Sequence, residues 1–230
     1  MGVRENADRR VVMHREVPAS WPPLPEEFVH WLHDHDLAIG QAIASEVPTV
    51  DEPDARELDF RAGRLALQRA LMAFGASVTI AAPSSYGLEL GAELAGSLSH
   101  SEGRAIAIVG ARRLLLAVGV DLESRRLPLA ALHLLANQRE RTWLLAGSTE
   151  EEQELRLLTL FSSKESVYKA WSAFTRRERM SLAWIDVDVE AGRVRASGVP
   201  GAWSLVSVRL NDGESILTGA VAVRLEADRD

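Results

Sequence analysis

No cysteine occurs in the 230 residues, which excludes a disulfide framework, a thiolate zinc site and a thiol nucleophile. Any metal must be held by oxygen or imidazole. Positive charge is also scarce. The formal net charge of −7 argues against sequence-independent nucleic-acid binding, yet it leaves room for a local basic pocket that receives a phosphorylated ligand. Long apolar runs are missing from the start, where MGVRENADRR has charges and no apolar stretch behind it. Such a start fits neither a signal peptide nor a membrane anchor. The expectation is a cytoplasmic protein with no nucleic-acid or membrane partner.

What is present suffices for a sizeable core. At 47% hydrophobic residues the chain is too apolar for disorder and suits one large domain or two small lobes. WPPLPEE opens a helix over 25–39, and VPTVDEPDA is a loop before a longer helix over 55–74. ELAGSLSHSEGRAIAIVGARRLLLAVGVDLE reads as three strands, with GARR a hairpin turn between the second and third. Two helices follow, the second beginning at the acidic STEEEQE and extending through FSSKESVYKAWSAF. WIDVDVEAGRVRASG and WSLVSVRLNDGESILTGAVAVRLE then alternate as antiparallel strands, with NDG as a turn. Helix then strands, twice over, indicates an α+β fold of two similar lobes.

Several stretches hold side chains suited to chemistry. In VGVDLE, alternation puts Val118, Val120 and Leu122 on one face and Gly119, Asp121 and Glu123 on the other. Two same-face carboxylates can share a hard cation such as magnesium, or be solvated or paired with Arg125 and Arg126. Glycine on that face leaves room for a ligand or another backbone. In FSSKESVYKAW, Glu165 lies about 40° around the helix from Phe161, at the edge of the apolar stripe. Lys169 follows one turn later, in the order that favours an ion pair. That pair is either an ordinary surface bridge or a partly buried one with a shifted pKa.

The 55–74 helix gathers Glu57, Arg61, Arg64 and Gln68 in a narrow polar sector, with Leu58, Phe60, Leu65, Leu67, Leu71, Met72 and Phe74 around much of the rest. Apart from Arg69 it has the wheel of a buried helix. Its arginines suit a phosphate or carboxylate, and internal pairing of Glu57 with Arg61 is an equal alternative. SLSHS, residues 97–101, lacks the G-x-S-x-G elbow of a hydrolase and suits structure or phosphate binding. HWLHDHD, residues 30–36, lacks a zinc-binding H-E-x-x-H and reads as a polar helix end.

RAGRLALQRAL, GSLSHS, VGVDLE and FSSKESVYKAW, in that order, resemble the motifs of the 4′-phosphopantetheinyl transferase superfamily in its long single-chain form. The pair G-[VI]-D-x-E and [FW]-S-x-K-E-x-x-x-K is the specific part. The resemblance implies two α+β lobes related by a pseudo-twofold axis, here residues 1–118 and 119–230, with coenzyme A in the cleft between them. It implies transfer of phosphopantetheine from coenzyme A to a serine of an apo acyl or peptidyl carrier protein, for nonribosomal peptide, polyketide or siderophore synthesis, by a monomer. By the same resemblance Asp121, Glu123 and Glu165 would hold magnesium, Glu165 would act as base and Lys169 would assist departure of 3′,5′-ADP. Ser99 and His100 would meet the nucleotide phosphates, and Arg61 or Arg64 the 3′-phosphate.

Arg112, Arg113, Arg125 and Arg126 are candidate contacts for an acidic carrier. APSSYGLELGAELAG departs from the family pattern, with no lysine or arginine between Arg69 and Arg104. That departure keeps two other readings open: a catalytically silent homologue serving as a binding or assembly component, and a different magnesium-dependent phosphoryl enzyme.

Overall fold

The computed structural model describes residues 21–47, 54–76, 88, 90–177, 180–196 and 198–224. Most of the loop expected at 47–55, and residues 77–87 and 89 of the atypical 76–96 stretch, lie outside the described residues.

The first lobe is built from β1 (Ala38–Ile43), α2 (Ala55–Phe74), β2 (Leu94–Ser101) and β3 (Arg104–Ala111), preceded by α1 (Glu26–Asp34). The second comprises β4 (Leu115–Glu123), the short α3 (Leu132–Leu135), α4 (Gln138–Leu145), α5 (Glu150–Thr175), a small hairpin of β5 (Asp186–Asp188) and β6 (Arg193–Arg195), then β7 (Ala202–Arg209) and β8 (Ile216–Val223). Each lobe has one three-stranded antiparallel sheet, ordered β1-β3-β2 in the first and β4-β8-β7 in the second. Leaving aside the small helices and hairpin, both lobes therefore repeat one plan: strand, long helix, two strands, with the last strand in the middle.

The repeat extends to the helix–strand contacts. A Cβ on Gly40 of β1 would lie 2.0 Å from Ala66 O and 2.4 Å from Ala70 N of α2. A Cβ on Gly119 of β4 would lie 1.8 Å from Ser166 O and 3.1 Å from Ala170 N of α5. Only glycine permits so close an approach of helix backbone to strand. From equivalent places on the two helices, Arg69 donates to Gln41 O at 2.7 Å and Lys169 donates to Val120 O at 3.1 Å.

The helices start and stop where side chains satisfy their free backbone groups. Asp54 caps α2 by accepting from Glu57 N, and Gly75 closes it in the left-handed region at φ 78. Thr149 caps α5 by accepting from Glu152 N, and Glu150, Glu151 and Glu152 add negative charge at the positive end of the helix dipole. Outside the helices the two sheets meet on their inner faces, where Ile39, Ile106 and Ile108 share a core with Val118, Val120, Leu122, Val206, Leu217 and Val221. α1 belongs to that core too: Trp31 covers Gly219 of β8, and its indole donates to Ser204 Oγ of β7 at 2.9 Å.

Four expectations need correction. The helix expected over 25–39 ends at Asp34, and Asp36, at φ 52, turns the chain into β1. β1 is buried along nearly its whole length, so it lacks the alternation that marks a strand in sequence. GARR is not a hairpin, because β3 pairs with β1 and β2 whereas β4 pairs with β8. The turn passes the chain from one lobe to the other, and a boundary after residue 118 cuts through β4, which pairs with β8 from Leu115 to Glu123. Finally, α2 is not buried all round: Phe60 and Met72 are exposed, while Arg69 turns inward to a two-pronged ion pair with Glu46, both contacts at 3.0 Å. Ala62, Ala66 and Ala70 make the close face against the sheet.

Candidate active site

The absence of a side chain at Gly119 lets α5 lie directly on β4, and this brings the helix cation to the strand carboxylate. Lys169 Nζ donates to Asp121 Oδ1 at 2.7 Å, to Ser99 Oγ at 3.0 Å and to Val120 O at 3.1 Å. Ser99 Oγ in turn donates to Asp121 Oδ1 at 3.0 Å. The three N–H bonds of the ammonium thus have three acceptors drawn from both lobes. Asp121 is buried, and its Oδ2 has no hydrogen-bond partner among the described residues.

The ion pair expected between Glu165 and Lys169, whether at the surface or partly buried, gives way to a bridge from Lys169 to Asp121. Glu165 is half-buried, and burial pushes its carboxyl above the ordinary range; Lys169 opposes that rise, while the charges of Asp121 and Glu123 add to it. All three carboxylates thus share one neighbourhood. Glu123 points one oxygen back along its own turn, accepting from Ser124 N and Arg125 N at 2.9 Å. Among the described residues no three carboxylates or imidazoles stand at metal-binding spacing. Asp121, Glu123 and Glu165 are gathered without being closed into a cage, because Lys169 and the Glu123 turn occupy part of their bonding capacity.

Lys164 and Lys169 are the only lysines in the chain; every other permanent side-chain cation is arginine. Lys164 is fully buried, donating to Glu140 Oε2 and Leu135 O at 2.7 Å and to Leu182 O at 3.1 Å. Burial lowers its pKa, which Glu140 partly opposes. Each of these two sites offers three acceptors around a point, a geometry that suits a compact ammonium and not a planar guanidinium. Glu140, which the motif search did not single out, also accepts from Asn137 N at 2.8 Å and Val187 N at 2.9 Å. Lys164 is thus the structural partner of the pair, and Lys169 reaches the site.

The serine and histidine of SLSHS go to different faces of β2. Ser99 joins Ser97 toward β4, where Ser97 Oγ accepts from Val120 N at 3.0 Å. His100 faces α2 together with Leu98, whose Cδ1 would come within 3.3 Å of a Cβ on Gly63. Its Nδ1 is 3.7 Å from Asp59 Oδ2. His100 and Asp59 line a cavity of about 600 Å³ between the lobes, together with Leu58, Ser101, Glu123 and Arg125. Glu123 joins this cavity to the carboxylate corner.

Of the two α2 arginines expected at the 3′-phosphate, Arg61 pairs with Glu57 and Arg64 lies over the Phe60 ring with 5.4 Å to its centroid. Neither is among the residues lining that cavity. Among the candidate carrier contacts, Arg126 pairs with Glu154 at 3.1 Å and Arg112 donates to Leu94 O at 2.8 Å, while Arg125 lines the cavity. In HWLHDHD, His35 packs edge-on against Trp31 and shares Ser204 Oγ with it at 2.9 Å. Sequence reasoning missed Asp59, Gly63, Ser97 and Glu140. The i, i+4 spacing of Asp59 and Gly63 in the DFRAGR stretch of the helix was the one signal available for the first two.

Two family descriptions match consecutive parts of the chain: residues 51–110 match the 4′-phosphopantetheinyl transferase N-terminal domain, and residues 117–216 the 4′-phosphopantetheinyl transferase superfamily. A curated relative, the 4′-phosphopantetheinyl transferase Svp of Streptomyces mobaraensis, is 31% identical over 150 residues. That match spans 57% of this chain and only 57% of the relative. Among solved structures, the holo-[acyl-carrier-protein] synthase of Thermotoga maritima is similar at 15% identity with a TM-score of 0.40, covering 48% of this chain and 65% of that one. A holo-(acyl-carrier-protein) synthase from Bacillus anthracis, solved in complex with CoA (3′,5′-ADP), is similar at 15% identity with a TM-score of 0.36, covering 49% of this chain and 99% of that one.

Proposed function

Because the chain belongs to the 4′-phosphopantetheinyl transferase superfamily, we propose that it transfers the 4′-phosphopantetheine group of coenzyme A to a serine hydroxyl of an apo carrier protein, releasing 3′,5′-ADP. The observation that carries this reading is the Lys169–Asp121–Ser99 cluster beside the half-buried Glu165, next to an inter-lobe cavity. Its carriers are acyl or peptidyl carrier domains of nonribosomal peptide, polyketide or siderophore synthesis, and it acts as a cytoplasmic monomer.

The serine oxygen attacks the phosphorus that bears pantetheine, and the bond from that phosphorus to the bridging oxygen of 3′,5′-ADP breaks. Glu165 accepts the serine proton, a role its raised proton affinity favours. Lys169 is held by three acceptors, and from that fixed place its ammonium stabilises the negative charge that develops on the departing phosphate. Ser99 keeps Lys169 and Asp121 in register. His100, facing the cavity, meets a nucleotide phosphate, and Arg64 or Arg61 takes the 3′-phosphate.

Carboxylate oxygens suit a magnesium ion once they close around it. Among the described residues nothing bonds the buried Oδ2 of Asp121, and Glu165 lies close enough to Asp121 and Glu123 for their charges to raise its pKa, a repulsion that a cation relieves. Asp121, Glu123 and Glu165 would hold the ion, which neutralises diphosphate charge when bound.

Incubation with coenzyme A, magnesium and an apo carrier protein, followed by intact mass of the carrier, tests the reading. A mass gain of one phosphopantetheine is expected. Tight coenzyme A binding without any gain on either acyl or peptidyl carriers would overturn it in favour of a silent binding component.

A further inference from the structure

An acid in a cavity meant for phosphates calls for an explanation, since a free carboxylate there would repel the ligand. Asp59 lies on α2 at the cavity wall and has a partner for each oxygen. Oδ1 accepts from Gly103 N at 3.0 Å, and Oδ2 stands 3.7 Å from His100 Nδ1. Gly103 is the second residue of the β2–β3 turn, where Glu102 and Gly103 adopt φ of 51° and 76°. Asp59 thus touches both the turn and the histidine, with its side chain mostly covered and that of His100 about half open. Gly63, one turn further along α2, lies against the ring, where a Cβ would stand at an ordinary contact distance of 4.0 Å from His100 Cδ2.

We propose that Asp59 is a positioning residue for His100: it holds the Nδ1 side of the imidazole against α2, and so turns Nε2 toward the phosphates of a nucleotide in the inter-lobe cavity. This rests on the reading of that cavity as the coenzyme A site. A carboxylate facing Nδ1 draws the proton of a neutral ring to that nitrogen and fixes the ring's orientation; Nε2 then donates to a phosphate in the imidazolium, whose two N–H groups bond the carboxylate and the phosphate at once. Without Asp59 the half-exposed ring is free to rotate, and the phosphate must order it on binding. Asp59 itself touches neither substrate nor reacting atoms; its effect passes through His100.

The experiment is calorimetric titration of coenzyme A into the wild-type chain, Asp59→Ala, Asp59→Asn, His100→Ala and the double variant Asp59→Ala/His100→Ala. Asp59→Ala should weaken binding about fivefold to tenfold, and in the His100→Ala background it should change binding less than about twofold, since the group it orients is gone. Turnover at saturating coenzyme A should stay within about twofold of wild type, because orientation of a binding group is read mainly in affinity.

Asp59→Asn separates the two contacts. Its amide oxygen can still accept from Gly103 N, but an NH₂ group then faces His100 Nδ1 and cannot accept from the doubly donating imidazolium, so it should weaken binding as Asp59→Ala does and, in the neutral ring, move the proton from Nδ1 to Nε2. Nitrogen-15 shifts of the imidazole report that change directly. If Asp59→Ala weakens binding equally with and without His100, or Asp59→Asn binds like wild type with an unaltered tautomer, the proposal is overturned. Should Asp59→Ala fail to fold, Asp59→Asn decides alone. A wild-type chain that binds no coenzyme A would instead sink the reading of the cavity, and the proposal with it.

Discussion

Replacing Lys164 by Met removes an ammonium from a fully buried site while keeping much of the side-chain volume. Three acceptors then lose their donor: Glu140 Oε2, Leu135 O and Leu182 O. Breaking a buried pair from one side costs about 3 to 5 kcal/mol, chiefly because the remaining charge is left uncompensated. Glu140 keeps backbone donors at Asn137 N and Val187 N, which places the expectation at the lower end, near 3 kcal/mol. For a chain of this size that is a fall in Tm of roughly 6 to 12 °C. Urea denaturation measures the loss directly, and the slope of the transition shows whether the unfolding unit has changed. In the double variant Lys164→Met/Glu140→Gln no charge is left buried, so it should cost at least about 1 kcal/mol less than the sum of the single changes. A loss below about 1 kcal/mol in Lys164→Met, or strictly additive costs, would refute the idea that this pair ties α5 to the segments around it.

Three further outcomes follow from the site. Lys169→Ala should lower kcat more than it weakens coenzyme A binding, since the ammonium acts on charge that develops in the transition state; equal affinity and turnover effects in steady-state kinetics would count against that role. Asp121→Ala should abolish transfer with a retained fold, and excess magnesium should restore little; full activity with unchanged metal dependence removes the metal assignment. Glu165→Gln should stop transfer yet stabilise the protein near neutral pH. The folded-state pKa of Glu165 lies above its ordinary value of 4.5, so the folded state binds more protons than the unfolded one between those two values. The wild type therefore loses stability as pH rises through that window, and the neutral glutamine does not. Melting curves of both proteins from acid to neutral pH should diverge in that direction, and parallel curves would show that Glu165 is not strained by its burial.

Much of the site was legible because its signals are short in range. The two same-face carboxylates of VGVDLE follow from strand alternation, and Val118, Val120 and Leu122 do enter the core while Gly119 faces α5. α2 occupies the expected 55–74 because Asp54 and Gly75 mark its ends within the local sequence. The NDG turn and the acidic start of α5 are local in the same way. β1 was not legible, since a strand buried on both faces has no period of two to betray it.

Partner choice is where sequence and tertiary structure divide. The ends of α2, the start of α5, the spacing of Glu165 and Lys169 and the facing of Asp121 are properties of neighbours along the chain, and the sequence by itself determined them. That Lys169 bonds Asp121 across 48 positions, that Lys164 finds Glu140, that Arg69 turns inward to Glu46 and that Ser99 and His100 serve different faces were settled only by packing. An ammonium goes to whichever acceptors the fold brings within about 3 Å, and the missing Cβ of Gly119, which sets how closely α5 approaches β4, acts between elements far apart in sequence.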